Sequence, residues 1–334
     1  MTESNKKKFG QYYTTNCDYI LSNIKIPHGA KLVEPFVGQG DLVKWSKRTD
    51  WELYDIEPKC SAITQDTLLN PPDYKDKYPV TNPPFLAKNK NKDKRVYEKY
   101  GVDDLYKACI KSFVDGDVAG GILIIPLNFF CDRDKNIRDI FFERYNVDEV
   151  NVFEETVFDD TTYTICSFSF TRGRYQNDTT FHFYPSKTSK VFELKKEHGW
   201  RVGGGLFKKT ETKYKLGRLL EGQEPSTMIF LNAIDTGSEE GRIRLIANHE
   251  LFYDNTPNRS NRAFATITSN IKIIDEQLIV DKFNKRLETL RETYNSLFLV
   301  NYRNSTKNYA RKRISFKQCY MLLIEILEEY NKEE

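Results

Sequence analysis

The chain reads as an α/β protein in which a mostly parallel sheet covered by helices is followed by a smaller, mixed α+β domain. Three observations predict this. Between Lys31 and Phe170 short apolar runs alternate with amphipathic stretches, as strands buried on both faces and their crossover helices require. After Arg174 that alternation gives way to short mixed strands, and residues 275–330 then carry apolar side chains at helical spacing. A length of 334 residues accommodates one large domain and a second one. The boundary is expected close to 172–180, dividing the chain into 1–174 and 175–334.

Taken in order, Lys31-Leu32-Val33 is the first strand and runs into a glycine turn, from which Gly40-Asp41-Leu42-Val43-Lys44-Trp45 opens a helix. Trp51-Glu52-Leu53-Tyr54-Asp55 is a second strand that ends in an acid. Tyr78-Pro79-Val80-Thr81 is a short strand that Pro83 and Pro84 force out of the sheet, because proline lacks an N–H and restricts the residue before it. Within 104–114, Leu105, Cys109 and Phe113 share one helical stripe, and Gly121-Ile122-Leu123-Ile124-Ile125-Pro126 is apolar enough for a central strand. A helix over 137–145 and strands over 150–153 and 163–170 complete the first part. The second part holds short strands, a break at Gly203-Gly204-Gly205, and two helices marked by Leu278, Phe283, Leu287 and Leu290, then by Phe316, Tyr320, Leu323 and Leu327.

Composition narrows the class. With 39% hydrophobic and 30% charged residues and a mean hydropathy of -0.63, the chain belongs with ordinary globular proteins rather than disordered or membrane ones. No run of eighteen apolar residues exists, so no membrane partner is expected. The start, Met1 to Lys8, lacks the apolar stretch of a secretory signal, and the expected location is the cytoplasm, in a bacterial or virus-infected cell. The six cysteines form no Cys-x-x-Cys pair and the four histidines do not cluster with them, which argues against structural zinc, other metal sites and a disulfide framework. Residues 1–174 carry 25 basic and 27 acidic side chains, whereas 175–334 carry 26 and 21. The back half is therefore basic by about five charges, a footprint suited to a polyanion.

Two segments carry chemistry. Val33-Glu34-Pro35-Phe36-Val37-Gly38-Gln39-Gly40-Asp41 lies where the first strand yields to a helix, the place where an open α/β sheet leaves a ligand crevice. Gly38 and Gly40 allow close backbone approach, and the second strand supplies Asp55 at the distance a ribose-binding acid requires. A plain tight turn is the competing reading, and the missing third glycine argues against a dinucleotide. The second segment, Asn82-Pro83-Pro84-Phe85, is the most specific feature of the chain. Its Asn carboxamide oxygen can accept one hydrogen of a planar amino group while a backbone carbonyl, that of Pro83, accepts the other. Together they aim the nitrogen lone pair at an incoming methyl group. Rigid prolines hold the pair, and Phe85 offers a face on which a base can stack.

These residues resemble the amino-methyltransferases of DNA, specifically the gamma-ordered N6-adenine group, in which the cofactor motif precedes the catalytic motif and the recognition domain comes last. Phe9-Gly10-Gln11-Tyr12-Tyr13-Thr14-Thr15 resembles the segment that closes over the methionine end of the cofactor in that group. The resemblance, which covers about residues 8–170, implies a Rossmann-like sheet that binds S-adenosylmethionine (AdoMet) and a C-terminal target-recognition domain. It implies cofactor contacts from Tyr12, Thr14, Glu34, Pro35, Phe36, Gly38, Gly40, Asp55 and Ile56, with Asp66 and Thr67 at the adenine end. The tetrapeptide Asn82, Pro83, Pro84 and Phe85 takes the Asn-first form associated with adenine, and Phe158 resembles a second aromatic that packs against an extruded base. The Phe36-Val37 pair departs from the group, where small residues are frequent. The implied partners are duplex DNA and a cognate restriction endonuclease acting on the same site.

Several readings stay open at this level. Phe158 serves equally as a core residue. The run Lys88 to Arg95 is either a solvated loop or a phosphate contact through Lys88 and Lys90. Between the last two helices, Arg303, Lys307, Arg311, Lys312 and Arg313 are interleaved with amide and aromatic groups, which suits phosphate anchoring and base-edge reading alike. RNA amino-methylation and cytosine N4 methylation use related tetrapeptides. Glutamine methylation ranks lower, because its extra domain is expected before the catalytic part. A catalytically silent DNA-binding protein is disfavoured by the presence of Asn82 and the cofactor acids.

Overall fold

The computed structural model describes residues 10, 12–158, 161, 163–176, 178–207, 211–236, 238, 241–254, 263–303 and 311–333. They form two compact units, one comprising 1–129 and 134–200 and the other 130–133 and 201–334.

The first unit is built on one sheet. Its strands are β1 (Leu32–Glu34), β2 (Trp51–Asp55), β3 (Ile63–Thr64), β4 (Tyr78–Thr81), β5 (Gly120–Pro126), β6 (Tyr145–Asn146), β7 (Glu149–Phe153), β8 (Ile165–Arg172), β9 (Asp178–Tyr184) and β10 (Thr188–Glu193). The spatial order is β10-β9-β7-β8-β5-β4-β1-β2-β3, with β6 paired to β8. Strands β3, β2, β1, β4 and β5 pair in parallel, and β8 is inserted antiparallel between β5 and β7. Every residue of β4 and β5 is buried, as the apolar runs require of central strands covered on both faces. The helices are α1 (Cys17–Ile20), α2 (Asp41–Ser46), α3 (Arg95–Tyr100), α4 (Leu105–Asp115), α5 (Asn128–Cys131), whose last two residues belong to the second unit, and α6 (Asn136–Phe142). The stripe of Leu105, Cys109 and Phe113 on α4 is buried, which is the face that the spacing predicted.

The boundary expected at 174 falls at 200 instead. Strand β9 pairs in parallel with β7, and β10 pairs with β9, so the sheet continues well past Arg174. Beyond β10, Trp200 packs on Phe142 of α6 with ring centroids 5.5 Å apart, and Arg138 of the same helix donates to Gly199 O at 2.8 Å. Alternating burial along β9 looks like that of any antiparallel edge, so the sequence did not distinguish an extension of the first sheet from the start of a new one. The helix expected over 137–145 ends at Phe142, because Tyr145 already pairs with β8.

In the second unit, β11 (Leu216–Arg218), β12 (Phe230–Asn232), β13 (Arg244–Ile246) and β14 (Phe264–Ser269) form a sheet in the order β11-β14-β12-β13. Two long helices follow, α7 (Glu276–Tyr294) and α8 (Phe316–Glu333), separated by the hairpin β15 (Val300–Arg303) and β16 (Arg311–Arg313). Asp275 caps α7 by accepting from Leu278 N–H at 2.9 Å. Asn284 of α7 exchanges two hydrogen bonds with the backbone of Leu245 on β13, and a buried ion pair joins Arg291 to Asp235 at 2.9 Å. Among the described residues no helix is long and apolar enough to cross a membrane.

Candidate active site

Strand order reverses between β1 and β4, and the carboxyl ends of β1, β2 and β4 meet there, which is where an open α/β sheet leaves room for a ligand. A cavity of about 710 Å³ occupies that place. Five acids line it, Glu34, Asp41, Asp55, Asp66 and Asp93, of which Glu34, Asp55 and Asp66 are those singled out in the sequence. Glu34 ends β1 and is only 2% exposed. It accepts from Thr81 Oγ1 at 2.6 Å and from Phe36 N–H at 3.0 Å. Burial nevertheless pushes its carboxyl up to about 8, because removal from water outweighs the two hydrogen bonds that favour the ionised form. Asp55 ends β2 and accepts from Gly38 N–H and Glu57 N–H, each at 2.8 Å. The acid thereby holds the glycine turn against the second strand and keeps lone pairs for a further donor. Asp66 accepts through Oδ1 from Leu68 N–H at 3.1 Å and Leu69 N–H at 3.0 Å, and Thr67 Oγ1 donates to Pro35 O at 3.0 Å. Gly38 has a φ of 52°, and a Cβ there would lie 3.1 Å from the ring of Tyr13.

The Asn82–Phe85 turn lies at the end of β4. Asn82 Nδ2 donates to Tyr12 O at 2.7 Å and to Thr14 Oγ1 at 3.0 Å. With both amide hydrogens engaged, the oxygen is the end left over, and Asn82 Oδ1 is buried without a hydrogen-bond partner. Such an orphaned acceptor costs free energy unless something donates to it. The turn is pinned from two sides. Phe85 N–H donates to Gly10 O at 3.0 Å, where a Cβ on Gly10 would come within 2.6 Å of Phe85 O. On the far side Asp104 Oδ1 accepts from Leu86 N–H at 3.1 Å, and Tyr97 Oη donates to Leu86 O at 2.8 Å.

Most of the residues singled out in the sequence meet in this one cavity. Tyr12, Thr14, Glu34, Phe36, Gly38, Asp55, Ile56, Asp66 and Thr67 line it, together with Asn82, Pro84 and Lys90. Pro35, Gly40, Pro83, Phe85, Lys88 and Phe158 do not. Phe85 differs from expectation in a second respect. Its ring is 2% exposed and stacks on Tyr12, with centroids 5.4 Å apart and planes at 24°, so the face expected to receive a base is covered by another side chain. Tyr12 also meets Phe158 at 6.5 Å. In the second unit Arg311 is exposed, while Lys312 and Arg313 are half-buried, the backbone of Lys312 accepting from Asp235 N–H at 2.9 Å. The side chain of Arg303 and the whole of Lys307 lie outside the described residues.

Sequence reasoning missed part of the lining. Asn91, Lys92, Asp93 and Arg95 form a wall of the cavity, so the charged run 88–95 is not simply a solvated loop. Lys94 Nζ folds this loop on itself by donating to the carbonyls of Lys88 and Asn91. Leu105 joins the lining from α4, a contact that no local pattern announces.

The strand order, with one antiparallel strand between β5 and β7, defines the Rossmann-like sheet of AdoMet-dependent methyltransferases, here with an additional α+β region. No protein-family model and no curated protein sequence matches the chain. Among solved structures, a modification subunit of a putative type I restriction enzyme from Vibrio vulnificus YJ016 is similar at 12% identity and a TM-score of 0.42, over 52% of this chain and 47% of that one. A putative class I S-adenosylmethionine-dependent methyltransferase from Listeria monocytogenes is similar at 12% identity and a TM-score of 0.39, over 51% and 62%. The DrdV–DNA complex is similar at 12% identity and a TM-score of 0.42, over 71% of this chain and 36% of that one. The chain spans less than two thirds of the length of each, and nothing about activity follows from likenesses at this distance.

Proposed function

We propose that this chain is an AdoMet-dependent DNA methyltransferase that modifies the N6 amino group of adenine in duplex DNA. The observation that carries the reading is the orientation of Asn82, whose amide hydrogens are both engaged while its oxygen remains a buried acceptor at the end of β4.

The cavity fits AdoMet. Gly38 lets the backbone approach, Asp55 and Asp66 retain acceptor capacity for ribose hydroxyls and an adenine amino group, and Glu34 lines the same cavity. Bound there, AdoMet would supply an electrophilic methyl group on a sulfonium centre. The chain's own residues do the rest. Asn82 Oδ1 accepts one hydrogen of the exocyclic amine and the Pro83 carbonyl accepts the other, which fixes the nitrogen lone pair along the line of attack. Both acceptors strengthen as positive charge develops on that nitrogen, so they favour the transition state over the ground state. The amine proton leaves after transfer, and no general base is required beforehand. Because the target amine lies within the duplex, the nucleotide must be extruded, and packing of the base on Phe85 would require the Tyr12 ring stacked there to move aside, while Phe158 is buried beside Tyr12. The basic excess after residue 175, including Arg311, Lys312 and Arg313, would anchor backbone phosphates. The Asn-first tetrapeptide favours adenine over cytosine as the target, and a companion endonuclease with the same recognition site follows from that family resemblance.

Incubation of duplex DNA with labelled AdoMet, followed by nucleoside analysis and mapping of the modified position, tests the proposal. N6-methyladenine at a defined sequence is the expected product. Methylated cytosine would overturn the adenine assignment, and label in structured RNA but in no duplex DNA would overturn the substrate class.

A further inference from the structure

Tyr12 stands where the methyltransferase reading needs a base. Its backbone carbonyl accepts from Asn82 Nδ2 at 2.7 Å, and its ring stacks on Phe85 at 5.4 Å with an interplanar angle of 24°. The same ring meets Phe158 at 6.5 Å, tilted by 42°. Phe85 makes its other ring contact edge-on, with Tyr106 at 6.4 Å and 84°, and is only 2% exposed. A base that packs face-on against Phe85 competes with the Tyr12 ring, which is stacked there, whereas Tyr106 meets Phe85 edge-on.

We propose that the Tyr12 ring is a placeholder for the target base: it occupies the aromatic slot in the DNA-free protein and turns aside when the nucleotide is extruded. The proposal rests on the methyltransferase reading and adds to it a positioning residue with two separate parts. The carbonyl of Tyr12 sets the Asn82 amide, and the ring keeps the apolar slot closed to water until a base arrives. Only the side chain has to move. The backbone around it is held by the Asn82 bond and by Phe85 N–H donating to Gly10 O at 3.0 Å, so ring rotation leaves the amine-gripping geometry in place. Stacking of Tyr12 on Phe85 stabilises the DNA-free state, and base extrusion must replace that contact.

The test uses the full-length protein, its AdoMet complex, and a duplex bearing 2-aminopurine at the adenine mapped by the methylation assay. In Tyr12→Ala the slot is open beforehand, so the extruded fraction read from 2-aminopurine fluorescence rises. Duplex affinity tightens about 2–10-fold, the loss of one aromatic pair expressed as binding, and KM for DNA falls while kcat does not increase. Tyr12→Phe retains the ring, so its 2-aminopurine fluorescence stays closer to that of the unaltered protein than that of Tyr12→Ala. Tyr12→Leu, which retains apolar bulk, gives the same direction as alanine and serves if the alanine variant loses its fold, as judged by a cooperative thermal melt. Unchanged or reduced extrusion in folded Tyr12→Ala or Tyr12→Leu would overturn the placeholder, since the ring would then support the base rather than stand in its way. Failure of the wild-type protein to methylate adenine in any duplex would instead remove the reading on which the proposal rests.

Discussion

An amide side chain can present either end to a ligand, and at Asn82 the neighbours choose. Tyr12 O and Thr14 Oγ1 consume both donors, so the end facing a substrate is an acceptor. An amino group satisfies it, whereas a carbonyl substrate would leave it orphaned. Gly10 is needed for the same arrangement, because its φ of 65° and the 2.6 Å clearance to Phe85 O leave no place for a Cβ. Gly10→Ala is expected to lift the segment that carries Tyr12 off the catalytic turn and to cut turnover at least about tenfold, with a smaller effect on melting temperature, because a small misplacement at the reacting centre is costly. Steady-state kinetics beside a thermal melt would check it. Glu34 yields a pH prediction. Burial raises its carboxyl from 4.5 to about 8, opposed by hydrogen bonds from Thr81 and Phe36 and reinforced by the charge of Asp55. The folded protein therefore keeps a proton that the unfolded chain has already lost. That contribution to stability is fully present below about 4.5 and is lost progressively as pH rises through about 8. Glu34→Gln should flatten the dependence of stability on pH across this window, as measured by urea unfolding at several pH values. A variant whose profile parallels wild type would mean that Glu34 is ionised throughout.

At the scale of elements, strands β1, β2, β4 and β5 and helix α4 were legible because each is a short, local pattern of burial that the chain spells out directly. What the pattern did not contain was contact between remote segments. Asn82 and Tyr12 are 70 residues apart, and only the folded chain reveals that one orients the other. The run 88–95 shows the same limit. Its charges were plain in the sequence, but its role as a cavity wall depends on Tyr97, whose hydroxyl donates to Leu86 O at 2.8 Å and accepts from Asn91 Nδ2 at 3.2 Å. Tyr97→Phe removes both bonds and is expected to cost about 1 kcal/mol of stability, the usual net worth of one such bond or slightly more. Because Asn91 loses its anchor, AdoMet should also bind more weakly in this variant. Calorimetric titration would read that change, and unaltered affinity would show that the loop does not contact the cofactor.

For the whole molecule, the division after Trp200 follows from where apolar area is buried. Phe181 and Phe183 of β9 are fully or almost fully covered, and Tyr175, Phe142 and Trp200 form one aromatic cluster, with Tyr175 and Phe142 only 4.9 Å apart. A fragment ending at 174 would lack β9, Tyr175 and Trp200 and so uncover β7 and the ring of Phe142, whereas one ending at 200 retains these contacts. The longer fragment should therefore give a cooperative melt and the shorter one should aggregate or melt without cooperativity; equal behaviour would place the boundary nearer 174. The central claim is that a buried amide oxygen at the end of β4 grips the amine that receives the methyl group. The most direct measurement is single-turnover methylation of the mapped duplex by Asn82→Ala, run beside equilibrium binding of AdoMet to the same variant. AdoMet affinity within about threefold of wild type and a transfer rate reduced by at least about 100-fold are expected, the scale seen when one preorganised transition-state contact is removed. A transfer rate close to that of the unaltered protein would place the chemistry elsewhere.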